Sequence, residues 1–150
     1  MKKFIKDLLT VKVFENRTLM GEAVATAVSD KINELLKTQE FVNLIFGAAP
    51  SQNDFFSALI KKDVPWNKLN AFHMDEYVNL APDAPQGFGN FLKEHLFSKV
   101  PFNTVNYIDG SVADYKAECL RYSALLTKFP TDIVCLGIGE NTHLAFNDPH

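Results

Sequence analysis

Arginine is almost missing from this chain. Thirteen of its fifteen cations are lysines, and only Arg17 and Arg121 offer the planar, bidentate fork suited to holding phosphate. A basic excess is missing as well: fifteen Lys and Arg stand against eighteen Asp and Glu, a net charge of -3, so no term drives binding along a phosphate backbone and nucleic acid is not an expected partner. Cysteine is scarce. Cys119 and Cys135 lack CxxC spacing, which argues against a disulfide scaffold or structural zinc, and both read as buried free thiols within apolar runs. No apolar run approaches the ~18 residues that a membrane span needs, and Met1-Lys2-Lys3 leads to Asp7 rather than to a signal-peptide core. The expectation is a cytoplasmic protein with no membrane partner. What the chain does contain is 150 residues with 47% hydrophobic and 22% charged content, enough to close one core and too little for two ordinary domains.

Strand-like and helix-like stretches alternate, without internal repeat or low-complexity linker. Residues 11–14 are β-prone, and Asn16 is placed to cap a long helix whose apolar face runs through Leu19, Met20, Ala23, Val24, Ala27, Val28, Ile32, Leu35 and Leu36. Residues 41–46, interrupted only by Asn43, read as a buried strand; Gly47 to Ser51 punctuate it before a short helix through Phe55, Phe56, Leu59 and Ile60. Further strands are expected at 69–73, 105–108 and 132–136, and helices at 91–97 and 114–129. This β-α-β-α-β-α-β-α-β order predicts an α/β fold, a mostly parallel, doubly wound sheet with helices on both faces. In such sheets ligands bind beyond the carboxyl ends of the strands, where three polar segments fall: 47–53, 73–77 and 137–150.

Each segment carries candidate chemistry. In His73-Met74-Asp75-Glu76-Tyr77, a carboxylate held at a strand end and partly out of water can shuttle protons near neutral pH. Adjacent side chains diverge on an extended backbone, so one of Asp75 and Glu76 faces the pocket; a solvated turn is the plain alternative, and His73 reads as a packed strand residue. In Gly137-Ile138-Gly139-Glu140-Asn141-Thr142-His143, glycines after a strand admit a substrate close to the backbone. His143 can accept and return protons, and Asp148 can orient it; a tight turn with a surface histidine competes. A dinucleotide fingerprint fails because Thr142 stands where the third glycine belongs. Around Ala48, Ala49 and Ser51, backbone N–H groups and a hydroxyl suit an anion, with a plain helix cap at Ser51 or Asn53 as the alternative. His73, Asp75, His143 and Asp148 are of metal-ligand type, yet lack HExxH or closely spaced histidines, so no metal is expected. A serine-hydrolase reading lacks the Gly-x-Ser-x-Gly elbow.

Taken together, Phe72-His73-Met74-Asp75-Glu76-Tyr77, Gly87-Phe88-Gly89-Asn90-Phe91-Leu92 and the run from Leu136 through His143-Leu144-Ala145-Phe146-Asn147-Asp148-Pro149 resemble the glucosamine-6-phosphate deaminase (isomerase) family, collinearly over nearly the whole chain. The related 6-phosphogluconolactonases typically read His-x-Ala-Ser-Leu-Phe-Pro where this chain has Ala145-Phe146-Asn147. The resemblance implies a modified Rossmann-like fold, no cofactor, and conversion of glucosamine 6-phosphate plus water to fructose 6-phosphate and ammonia, in amino-sugar and N-acetylglucosamine catabolism. By position, Asp75 would move a proton between C2 and C1 of the open-chain sugar, and His143 would handle the ring-oxygen proton, with Asn141 and Asp148 as its partners. Ala48, Ala49, Ser51, Glu76, Gly137 and Gly139 would contact the sugar phosphate.

The chain departs from the family pattern. Asn141-Thr142-His143 stands for the usual Asp-Gly-His, which replaces a charged partner by a neutral amide and puts a β-branched residue where a left-handed backbone would be strained. Asp148 is one methylene shorter than the usual glutamate. The phosphate loop is reduced to Gly47-Ala48-Ala49-Pro50-Ser51-Gln52. Asn141 and the altered phosphate loop make a catalytically weak sugar-phosphate sensor the competing reading; a 6-phosphogluconolactonase-like hydrolase is the third, disfavoured by Phe146-Asn147. Family members are often homo-oligomers. They also continue past the Phe-Asn-Asp-Pro segment, so residues 1–150 are expected to form the N-terminal portion of a longer sugar-phosphate isomerase-like domain. Cys119, Met74, His95, Phe88 and Phe91 are assigned to packing.

Overall fold

The computed structural model describes residues 1–149; His150, the end of the third polar segment, lies outside the described residues. The elements are β1 (Lys2–Lys6), β2 (Leu9–Val13), α1 (Arg17–Leu35), β3 (Val42–Phe46), α2 (Asn53–Leu59), β4 (Leu69–His73), α3 (Phe88–Leu92), β5 (Thr104–Asn106), α4 (Tyr115–Lys128) and β6 (Ile133–Cys135). Single 3-10 turns precede α2 and β4, and α3 runs on into a π turn at Lys93–Phe97. Among the described residues, no helix is long and apolar enough to cross a membrane.

Four strands form a parallel sheet in the order β5-β4-β3-β6. The strands β3 and β4 are central, and every residue of β4 is buried, as expected for a strand covered on both faces. One face packs Val42, Leu44, Phe46, Leu69 and Ala71 against Ala25, Val28 and Ile32 of α1, Phe55, Phe56 and Leu59 of α2, and Leu92 and Leu96 beyond. On the other side Phe72 meets Tyr122 of α4 and Phe129 just after it, ring centroids 6.0 and 6.2 Å apart. Polar groups lock the register. Asn70 donates to the Asn43 side chain across the β3–β4 pair, and its own Oδ1 accepts from Asn103 and Thr104 toward β5.

Three expectations need correction. The segment at 11–14 does not enter the parallel sheet: Leu9–Val13 pairs antiparallel with Lys2–Lys6 in a separate hairpin. Its turn is Asp7-Leu8, with Asp7 at φ 53°, and carries none of the glycine that signals such turns. Asn16 does cap α1, accepting from the Leu19 N–H at 2.9 Å, but the buried face is Gly21, Ala25, Val28, Ser29 and Ile32. Leu19, Met20 and Val24 are exposed instead, because the neighbour of α1 is α2 and only a small residue fits the crossing: a Cβ on Gly21 would stand 2.7 Å from the Asp54 backbone. Finally, Cys135 is buried, and burial pushes its thiol pKa up to about 12, whereas Cys119 is exposed.

Candidate active site

The strand order reverses between β3 and β6, since the chain steps outward from β3 to β5 and returns beside β3 with β6. Loops diverge at such a point and leave a crevice at the carboxyl ends of the strands. Here the Gly47 N–H donates to the Cys135 carbonyl at 2.8 Å, and beyond that bond the two loops separate. The crevice is a cleft of about 380 Å³. It is lined by Gly47, Ala48, Ala49 and Ser51 after β3, Met74, Asp75 and Tyr77 after β4, and Gly137, Gly139, His143, Ala145, Phe146 and Asp148 after β6, with Phe88 of α3 alongside. All three polar segments of the sequence therefore meet.

Asp75 is half-buried in this wall. Burial, and secondarily the neighbouring Glu76 charge, holds its carboxyl above the usual aspartate range, which suits a group that must both take and return a proton. Glu76 points the other way. Its carboxylate accepts from the N–H groups of Tyr77, Phe88 and Gly89 at 2.9, 2.9 and 2.8 Å, so it ties down the start of α3. It lines a second cleft of about 350 Å³ behind the turn rather than the cleft of Asp75, which removes it from the expected substrate contacts.

His143 sits on a tight turn. The Thr142 N–H donates to the Gly139 carbonyl and the Gly139 N–H to the His143 carbonyl, both at 2.9 Å, while the imidazole lies over the Gly139 backbone. A Cβ at Gly139 would stand 2.2 to 2.5 Å from three ring atoms, so that position must be glycine. Thr142 does adopt the left-handed conformation, φ 70°, a strained one for a β-branched residue. The Asn141 amide bridges the site: its Nδ2 donates to Asp148 at 2.9 Å, and its Oδ1 lies 2.6 Å from His143 Nδ1. Because a carboxylate only accepts, this orientation turns Oδ1 to the imidazole and puts a proton on Nδ1, while Nε2 has no hydrogen-bond partner among the described residues. Asp148 itself stays 3.6 Å from Nδ1, so it acts through the amide.

The 48–51 loop is held through its backbone by one of the two arginines. Arg17, the first residue of α1, donates to the Pro50 carbonyl at 2.9 Å and pairs with Asp54 at 3.0 Å. The alternative of a helix cap at Ser51 or Asn53 does not form: neither the 3-10 turn nor α2 has a side-chain cap. The position of Arg17 next to the capping Asn16 was the only signal, and it says nothing of what lies opposite. Arg121 is spent elsewhere, on Glu118 and the Tyr107 carbonyl. Two residues assigned to packing, Met74 and Phe88, line the cleft, and Phe88 forms a three-ring cluster with Tyr77 and Phe146, centroids 4.7 to 5.8 Å apart. Among the described residues, the lining contains no lysine or arginine.

Residues 15–146 match the family model of glucosamine-6-phosphate isomerases/6-phosphogluconolactonase. The chain belongs to this family. It is 31% identical over 141 residues to a glucosamine-6-phosphate deaminase of Lactobacillus delbrueckii subsp. bulgaricus, covering 94% of this chain and 58% of the relative. A glucosamine-6-phosphate deaminase of Streptococcus sanguinis is 33% identical, with 90% of this chain and 55% of the relative covered. The chain thus spans little more than half the length of these relatives. Among solved structures, the fold is similar to a monomeric glucosamine-6-phosphate deaminase (TM-score 0.77, 22% identity, 87% of this chain and 56% of that one). It is equally similar to the 6-phosphogluconolactonase of Thermotoga maritima (TM-score 0.78, 23% identity, 90% and 62%).

Proposed function

We propose that this chain carries the ring-opening and proton-transfer residues of an amino-sugar phosphate deaminase, which converts glucosamine 6-phosphate and water to fructose 6-phosphate and ammonia. The observation that carries the reading is the convergence of Asp75 and His143 on one cleft, the carboxyl made more basic by burial and the imidazole held through Nδ1 by Asn141. In this reading Nε2 of His143 exchanges the proton of the sugar ring oxygen and opens the ring. Asp75 then takes the C2 proton, giving the enolamine, and returns it at C1, giving the C2 imine that water hydrolyses to fructose 6-phosphate and ammonia. Ser51 and the backbone of residues 48–49 would meet the phosphate, and the Tyr77–Phe88–Phe146 wall would meet the apolar face of the sugar.

Charge supports an amino sugar over a sugar acid. The lining carries two carboxylates, Asp75 and Asp148, and no lysine or arginine among the described residues, a field that favours a cationic 2-ammonium group. The same shortage of cations favours the second reading, a sensor that binds weakly and does not turn over. One panel separates the outcomes: ammonia and fructose 6-phosphate from glucosamine 6-phosphate, 6-phosphogluconate from its lactone, and calorimetric binding of each sugar phosphate. Ammonia release that is lost in Asp75→Asn supports the deaminase. Binding without turnover replaces it with the sensor, lactone hydrolysis replaces it with the lactonase, and neither binding nor turnover overturns a sugar-phosphate site in this chain.

A further inference from the structure

The turn that carries Asp75 is held from behind by a side chain that the reaction does not use. His73, the last residue of β4, is 1% exposed, and both its ring nitrogens meet backbone groups. The Ile108 N–H, beyond the end of β5, donates to Nε2 at 2.9 Å. A backbone amide can only donate, so Nε2 bears no proton. The proton is therefore on Nδ1, which donates to the Asp75 carbonyl at 2.9 Å. The Tyr122 hydroxyl completes the clamp from α4, accepting from the His73 N–H at 3.0 Å and donating to the His73 carbonyl at 2.8 Å.

We infer that His73 is a positioning residue, a single-tautomer staple that ties the Asp75 backbone to the chain beyond β5 and thereby sets where the Asp75 carboxylate stands in the cleft. The inference rests on Asp75 as the proton carrier proposed above. Among side chains of this size, neutral histidine alone supplies a donor at the δ position and an acceptor at the ε position. Glutamine can offer an acceptor near the ε position and asparagine a donor near the δ position, and phenylalanine fills the space with neither. Protonation would turn Nε2 into a donor facing the Ile108 N–H and open the staple.

The surroundings oppose that protonation. Burial lowers the proton affinity of the ring, against the smaller opposing pull of the Asp75 carbonyl bond and the Glu76 carboxylate. The other groups around it are the rings of Tyr107 and Tyr122, at 5.9 and 6.3 Å, and the backbone of Gly89, where a Cβ would come within 3.6 Å of Nε2. The Arg121 guanidinium lies over the far Tyr122 ring and is paired with the Glu118 carboxylate. The staple is expected to stay closed until the pH falls below the ordinary histidine range.

Nitrogen-15 NMR of the unmodified chain tests this directly. We expect a scalar coupling across the hydrogen bond between the Ile108 amide nitrogen and His73 Nε2, with the proton on Nδ1; a proton on Nε2 overturns the inference. In His73→Phe the Ile108 amide should exchange about tenfold faster, the loss of one hydrogen bond, and the carboxyl titration of Asp75 should shift down as the turn opens to water. His73→Gln should restore the Ile108 protection without restoring Asp75. A folded His73→Phe whose Asp75 titration is unchanged sinks the positioning role, and if that variant does not fold, the coupling and its loss on acidification decide. None of these readouts requires turnover, so failure of the staple and failure of the deaminase reading are told apart.

Discussion

Asp75 joins a functional cost to a thermodynamic one. Its carboxyl is held above the usual range by burial, so the folded state binds its proton more tightly than the unfolded chain. Such a group favours folding below the ordinary aspartate pKa, and that contribution is lost as pH rises through the elevated one. Asp75→Asn should therefore melt higher than the parent at pH 7.5 and converge with it near pH 3, while ammonia release falls by about 10²- to 10⁴-fold. A melting curve that does not separate at neutral pH contradicts the burial argument, whatever the activity. Asn141 is a second residue whose meaning lies in its partners. Placed 2.9 Å from Asp148, it cannot become aspartate without setting two carboxylates face to face. Asn141→Asp alone should not speed ring opening, whereas Asn141→Asp with Asp148→Asn keeps the bridge and moves the charge onto the imidazole. Anomeric exchange by NMR should rank the double variant above the single one.

At the scale of elements, strand ends do the positioning. The loops after β3, β4 and β6 each deliver a different chemical group, and each is tied by its own contact: Arg17 to Pro50, Glu76 to the start of α3, and the 139–143 turn by its two backbone bonds. The last is the most sensitive. Gly139→Ala places a methyl inside the space of the imidazole, so His143 must leave its bond to Asn141. A displacement of this kind costs about 100-fold in a positioned proton transfer. Turnover should fall by that factor with the melting temperature nearly unchanged, because the turn is exposed; a large loss of stability would show that the turn supports the core instead.

Over the whole molecule, a polar seam and an apolar core divide the labour. The side chains of Asn43, Asn70, Asn103 and Thr104 link β3, β4 and the start of β5 at the amino ends of the strands, opposite the cleft. A one-residue slip in a parallel pair would leave the buried Asn70 amide without these partners, so the seam fixes which strand ends lie level at the site. Asn70→Leu should cost roughly 1 to 2 kcal/mol in denaturant unfolding, since the partners it loses at Asn43, Asn103 and Thr104 keep access to water. A nearly neutral result would mean that the seam adds no specificity.

How far the site was legible follows from what each residue depends on. Asp75, His143 and the glycine-rich turns stand out in sequence as candidates because acid-base chemistry needs those residue types at strand ends, and the alternation of strands and helices places the ends together. Asn16 as a cap and 69–73 as a strand are local decisions, legible for the same reason. Glu76 looked equivalent to Asp75, yet the backbone alternation that sends them to opposite sides needs the start of α3 to reveal the three amides waiting there. Arg17, Phe88 and the neutral tautomer of His73 depend on atoms 12 to 35 positions away in the chain, across 33 positions to Pro50 for Arg17 and 35 to Ile108 for His73. The sequence by itself determined the family and the α/β architecture, and named the candidate proton carriers. Only the tertiary structure decided which of them share a cleft, because orientation, burial and hydrogen-bond partnership are properties of packed neighbours and not of spacing.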